Sequence, residues 1–270
     1  MDEKRSISEF SRVWTDAVGS RDAKVINSFL IANSGLPGPR GNLTLSHEAA
    51  EKIAALWSSD IVFAKTLLQS WETSKVEYLR HCFAVACGAV CRDHSETRTE
   101  LVPKMRRCLY DQFWRTREGV MFGLQEMTVK EPAYVVNLLE DWCREPDAML
   151  LRNAVIVLSE PRLLKADPKV IASCLSFHKR AISFYRKSSK AERKTSDFQL
   201  LKKTLGFSAS VLISVDPIHF PLLEEWATND DADVGWIVKE NLKKARIAKA
   251  FPDKVANLAR ILQAHSDDNR

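Results

Sequence analysis

Three groups of residues in this chain have types and spacings that could do chemistry. Cys87, Cys91 and His94 stand at i, i+4 and i+7, so one helical face carries three soft ligands, and Cys108 follows on the next stretch. Zinc would need such a set tetrahedrally, at about 2.0–2.3 Å. Leu79, Phe83, Ala86 and Val90 share that arc, and a reduced cysteine packs like a small hydrophobe. With no CxxC or HxxxH pair, the four are expected in the core, and no metal or other cofactor is expected.

The second group is the loop Ser34-Gly35-Leu36-Pro37-Gly38-Pro39-Arg40-Gly41-Asn42, which holds three of the nine glycines. Asn42 is placed to cap the helix that follows. Helix-terminal N–H groups with the Arg40 guanidinium could receive a phosphate or carboxylate, so Arg40, Gly41 and Asn42 form a candidate anion site. The loop lacks Gly-Lys-Ser/Thr and follows no strand, which excludes both the nucleotide P-loop and the dinucleotide fingerprint. A rigid Pro/Gly turn between two helix pairs is the expected role.

The third group is electrostatic. Residues 178–204 hold nine Lys/Arg against two Asp/Glu, a local charge of +7 that leaves −2 on the other 243 residues. Lys179, Arg180, Arg186, Lys187, Lys190, Arg193 and Lys194 are the candidate partner-binding cations, with 186–196 read as a basic insertion. If the helix runs on past Tyr185, Lys179, Arg186, Lys190 and Arg193 line one face; if it breaks at Ser188-Ser189, Phe184 and Tyr185 stand at the base of a loop. Either form suits a polyanion, since Lys and Arg hold phosphates and an exposed aromatic stacks on a base. A solvated loop whose charge aids solubility is the plain alternative. A further cluster (Lys239, Lys243, Lys244, Arg246, Lys249) fits the negative end of its own helix.

Catalytic signatures are missing by inspection: no GxSxG elbow and no HExxH occur. Glu140, Asp141, Glu224 and Glu225 belong to a recurrent EDW/EEW element, a poor setting for a unique acid–base pair. No catalytic residue is assigned, and the balance leans away from an enzyme.

The elements that position these groups read as helices. The 270 residues are 45% hydrophobic and 28% charged, with only nine Gly and ten Pro, which disfavours a disordered chain and a turn-dense β fold. A net charge of +5 does not by itself imply nucleic acid. The charged start MDEKRSISEF predicts no signal peptide, no apolar run predicts a membrane span, and six scattered cysteines fit a cytoplasmic protein. Period-3.6 patterning recurs through about fourteen segments, and Ser6/Glu9, Ser74/Glu77 and Ser196/Gln199 read as capping boxes. The expected class is all-α.

Self-similarity sharpens that class. LLEDW at 138–142 matches LLEEW at 222–226, and the same offset of 84 pairs Leu158 with Leu242, Arg162 with Arg246, Lys165 with Lys249 and Pro168 with Pro252. Arg80, Arg117 and Arg152 recur at 37 and 35 residues, each before small and apolar residues. Recurring helix pairs bury their apolar faces only by stacking, so an α-solenoid spanning 1–270 as one domain is expected. The three arginines then either form ladders across repeats, which their regular recurrence favours, or point into a groove. The tryptophans (Trp14, Trp57, Trp71, Trp114, Trp142, Trp226, Trp236) are expected in the core.

Helix pairs with VR- or LR-type starts resemble HEAT repeats. SGLPGPRGNLTL (34–45), EPRLL (160–164), LLKKTLGFSASV (200–211) and DADVGWIVKENLKKARI (231–247) resemble uncharacterised bacterial and archaeal HEAT-repeat proteins, although Gly235 stands where such repeats often carry Arg. More distantly the chain is similar to the HEAT-like alkylpurine DNA glycosylases, which bind duplex DNA in a groove and excise a base with an aromatic-framed Asp. No segment matches that motif, so no residue is carried over. The resemblance implies a fold and carries no activity. The leading expectation is a non-catalytic cytoplasmic scaffold that binds a macromolecule through its curved surface, with a protein partner first, nucleic acid second and no membrane; a DNA binder or glycosylase is the alternative.

Overall fold

The chain in its computed structural model is all-helical; backbone is described for residues 3–38 and 40–268, and side chains for 7–38 and 40–264. Two compact units divide between Glu131 and Pro132. The first contains α1 (Glu3–Ser20), α2 (Ala23–Ala32), α3 (Leu43–Ser59), α4 (Ile61–Glu72), α5 (Glu77–Asp93), α6 (Arg98–Cys108) and α7 (Trp114–Lys130). The second contains α8 (Pro132–Trp142), α9 (Ala148–Leu158), α10 (Pro161–Ala166), α11 (Pro168–Lys187), α12 (Ser196–Val215), α13 (Pro221–Ala227), α14 (Ala232–Leu242), α15 (Ala245–Ala248) and α16 (Pro252–Asp268). The short α10 and α15 are the two elements beyond the fourteen read from periodicity.

Local chemistry sets the boundaries. Side chains of Asp22, Asn42, Asp60, Asp147, Glu160, Asp167 and Asp231 accept first-turn N–H groups, and Pro161, Pro168 and Pro221 open helices where a missing N–H costs nothing. The expected capping boxes Ser74/Glu77 and Ser196/Gln199 lie at helix starts but do not close. Helix α1 begins at Glu3, which puts Ser6 inside it, and the Ser6 side chain is outside the described ones. Ser74 turns to the Val76 N–H at 3.0 Å, and Glu77 instead accepts the Arg115 N–H from α7 at 2.9 Å. Gln199 donates to the Arg193 carbonyl at 2.5 Å, leaving Thr195 as the cap residue of α12.

In the first unit α3, α5 and α7 lie side by side, with α2, α4 and α6 also against α5. Enclosed this way, α5 is buried without interruption from His81 to Cys91, which explains a sequence (HCFAVACGAVC) that is apolar all round. Backbones touch where α5 crosses α7. A Cβ on Gly88 would fall 2.1 Å from the Gly123 carbonyl oxygen, and one on Gly123 would fall 2.6 Å from that of Ala84. Polar cross-links join the three helices. His81 Nδ1 donates to the Arg115 carbonyl at 2.8 Å while its Nε2 meets Ser46 Oγ at 3.1 Å. Arg92 bonds Glu51 on α3 at 2.6 Å and Glu126 on α7 at 3.1 Å.

The second unit repeats itself. Ala148–Leu158 and Ala232–Leu242 are the same eleven positions displaced by 84, and Pro168 and Pro252 open α11 and α16 at that offset. The pairings recur as well: α8 with α9 and α11, α9 with α11 and α10 with α11 correspond to α13 with α14 and α16, α14 with α16 and α15 with α16. Helix α12 lies between the copies, packed on α9 and α14. It is tied to α14 by the buried Asn241, which donates to the Leu205 carbonyl at 2.7 Å and accepts the Ser210 N–H at 2.8 Å.

All six thiols are buried and none is in a disulfide. Among the described residues no helix is long and apolar enough to cross a membrane.

Two glycine substitutions separate close packing from intrinsic propensity. Gly88→Ala sets a methyl against fixed backbone and is expected to cost about 3 kcal/mol in urea unfolding. Gly235→Ala, whose nearest neighbour is Leu262 Cδ2 at 3.7 Å, is expected to be neutral or to stabilise by up to about 1 kcal/mol.

Candidate binding face

The basic run divides into anchors and exposed cations. Helix α11 continues to Lys187, and a short 3₁₀ turn over Glu192–Lys194 leads into α12. Ser189 and Glu192 fix that turn reciprocally: the Glu192 N–H donates to Ser189 Oγ at 3.2 Å, and the Ser189 N–H to Glu192 Oε2 at 2.7 Å. The Ser189 hydroxyl, which donates to the same oxygen at 2.7 Å, and the Ser189 N–H hold the Glu192 carboxyl below its ordinary pKa.

Arg193 is an anchor. Nη1 bonds Asp231 at 2.7 Å and reaches Asp233 at 3.4 Å, Nε donates to the Tyr185 carbonyl at 3.1 Å, and the guanidinium lies 4.8 Å over the Tyr185 ring. Burial opposes its charge, but the two aspartates outweigh it and raise the pKa. Asp233 is the hub, taking Tyr185 Oη at 3.2 Å and Lys202 Nζ as well. Burial works against its ionisation, yet Lys202 and Arg193 hold its pKa below the usual range. Arg180 is also an anchor, bonding Glu140 and donating to the Cys143 carbonyl at 2.8 Å, over Phe177.

Lys179, Arg186, Lys187, Lys190 and Lys194 are exposed, and no ion pair engages any of them among the described residues. Four of these five border two clefts. One of ≈750 Å³ is lined by Lys190, Arg193, Lys194, Gln199, Asp231 and Asp233 among others; one of ≈520 Å³ by Ser183, Arg186, Lys187, Asn229, Asp230 and Asp231.

The aromatics of this face differ from those expected. Tyr185 is fully buried, and Phe184 stacks on Phe198 with centroids 5.5 Å apart, so neither is presented to a base. The exposed ring is Trp236, expected in the core but 37% accessible. It lies along α12 where Gly206 leaves room: a Cβ there would come within 3.1 Å of the indole Cζ3. Lys202 Nζ sits 4.8 Å over the ring. A helical glycine opposite a tryptophan in the next packed helix was the available signal, and it required knowing that α12 pairs with α14.

Most of the other candidates are engaged in internal contacts. Asn42 Oδ1 accepts the Leu45 N–H at 3.1 Å and its Nδ2 donates to the Asn33 carbonyl at 3.1 Å, so its amide closes the turn. Gly41 lies against Tyr78, whose hydroxyl donates to the Asn42 carbonyl at 2.6 Å, and Arg40 is exposed. Gly35, with φ +73°, supplies the left-handed step of the loop. Arg80 clips three elements, bonding Asp111 and the Glu72 carbonyl. Arg117 rests 5.6 Å from the Trp114 ring, and Arg152 is buried on α9. Cys87, Cys91 and Cys108 lie in the core with thiols pushed up by burial, Cys91 to about 11 and Cys108 to about 12, and His94 Nε2 lies 3.0 Å from the Ala54 carbonyl.

His178, fully buried behind the basic face, lies 2.8 Å from the Cys174 carbonyl through Nδ1 and 2.8 Å from Ser208 Oγ through Nε2. Its Nδ1 therefore carries the proton, and Nε2 accepts from Ser208. Burial pushes its pKa down to about 4, against the opposing pull of the carbonyl.

Two outcomes follow for stability. Arg193→Ala removes the cation that pairs Asp231 and leaves Asp233 to Lys202 and Tyr185; it is expected to cost on the order of 2 kcal/mol, whereas Lys190→Ala stays within about 0.5 kcal/mol, both read by urea unfolding. A folded pKa below the unfolded value makes the unfolded state bind the proton first. The His178 contribution is therefore intact above pH ~6.5 and lost as pH falls toward ~4, by roughly 3 kcal/mol, and His178→Asn flattens that part of a pH–stability curve.

Comparison with protein-family models, with curated proteins and with solved structures finds no match to this chain.

Proposed function

We propose that this chain is a non-catalytic, HEAT-like helical scaffold of the cytoplasm that binds a polyanionic macromolecule. The observation carrying the reading is the division of labour in the basic run. Arg180 and Arg193 are used to fix helices, while Lys179, Arg186, Lys187, Lys190 and Lys194 keep exposed charges with no carboxylate engaged among the described residues. Fixing the turn costs the chain its ordering entropy before a partner arrives, which favours binding over a loose, solvated loop. The side-by-side packing of alternate helices and the 84-residue recurrence support stacked helix pairs as the frame.

The test is binding of a labelled heparin dodecasaccharide across a salt series. Replacing Arg186, Lys187, Lys190 and Lys194 together by Gln should reduce the slope of log K against log salt by roughly three, with unfolding unchanged. Equal slopes for the two proteins would overturn the assignment of this face.

A further inference from the structure

Trp236 gives the basic face a second recognition element that charge alone does not require. From the cleft bordered by Lys190 and Lys194, Asp233 leads to Lys202, and Lys202 Nζ lies 4.8 Å over the Trp236 ring. The indole is held by its neighbours and still 37% accessible. A large exposed aromatic beside cations matches a ligand that alternates phosphates with flat faces. Base faces are open to an indole only when the bases are unstacked, which excludes an intact duplex at this position.

We infer that the α11–α12–α14 surface binds single-stranded nucleic acid, with Lys190 and Lys194 on phosphates and Trp236 stacking on a base. Asp231 and Asp233 do not repel the strand, because Arg193 and Lys202 neutralise them in place. Asp230, exposed at the edge of both clefts, and Glu192, exposed between Lys190 and Lys194 with its carboxylate bonded to Ser189, are carboxylates that the backbone must pass, and they restrict how the strand lies. This inference rests on the polyanion reading above and adds the class of ligand.

Fluorescence anisotropy with labelled dT12, a polyglutamate of matching charge and the heparin probe tests it. The intact protein should bind dT12 at 50 mM salt. Trp236→Ala should weaken dT12 about tenfold or more with its salt slope unchanged, and should leave heparin binding where it was. Trp236→Phe should recover most of the loss, which a merely destabilised protein would not show. If Trp236→Ala leaves dT12 within twofold, the stacking role is wrong. If polyglutamate binds as tightly as dT12 and responds equally to Trp236→Ala, the ligand is an acidic protein segment and the nucleic-acid inference falls. In both cases the polyanion reading stands as long as heparin binds. Failure of all three probes to bind overturns both.

Discussion

Enclosing a helix on every side is the constraint from which the rest of this architecture follows. A helix flanked by neighbours in all directions can expose neither bulk nor an unpaired polar group. In α5 the first demand appears as Ala84 and Gly88 against Gly123, where backbones approach too closely for side chains. The second appears as His81, whose two ring nitrogens reach α7 on one side and α3 on the other. Helix α12 meets the same demands with Ser208 and Ser210, bonded by His178 and Asn241. These buried polar links define lateral register, because sliding one helix by a residue would leave each partner desolvated and unpaired.

The basic face is built on that frame. Its cations would repel one another along a flexible loop, yet a reciprocal Ser189–Glu192 cap and the Arg193–Asp231–Asp233 cluster hold the connection between α11 and α12 in one shape. Attraction inside the cluster is strong because its members are partly withdrawn from water, whereas the exposed lysines remain fully hydrated and are screened by salt. One run of like charge therefore contains two electrostatic regimes, separated by burial rather than by residue type.

Much of the helical framework was legible in the residues. Proline positions and periodicity located the long helices, and the LLEDW/LLEEW offset located a duplication that the pairings of α8–α11 and α13–α16 reproduce. What escaped depends on partners distant in sequence. Glu77 had the spacing of a capping residue, but its carboxylate accepts the Arg115 N–H at the start of α7. Arg193 looked like its basic neighbours until Asp231 and Asp233 arrived from a helix nearly forty residues away. Trp236 looked like core, since an apolar stripe on α14 does not reveal that Gly206 turns the ring along the surface. The division at Glu131–Pro132 has no composition shift to announce it.

The sulfur atoms offer an internal report on breathing of the molecule. Cys82, Cys87, Cys91 and Cys108 belong to the first unit, Cys143 and Cys174 to the second, and each is shut away from solvent. Alkylating reagents attack the thiolate, which burial suppresses in the closed state. The rate at which each cysteine is modified therefore measures how often its own half opens, and site-resolved labelling separates the opening of one half from that of the other.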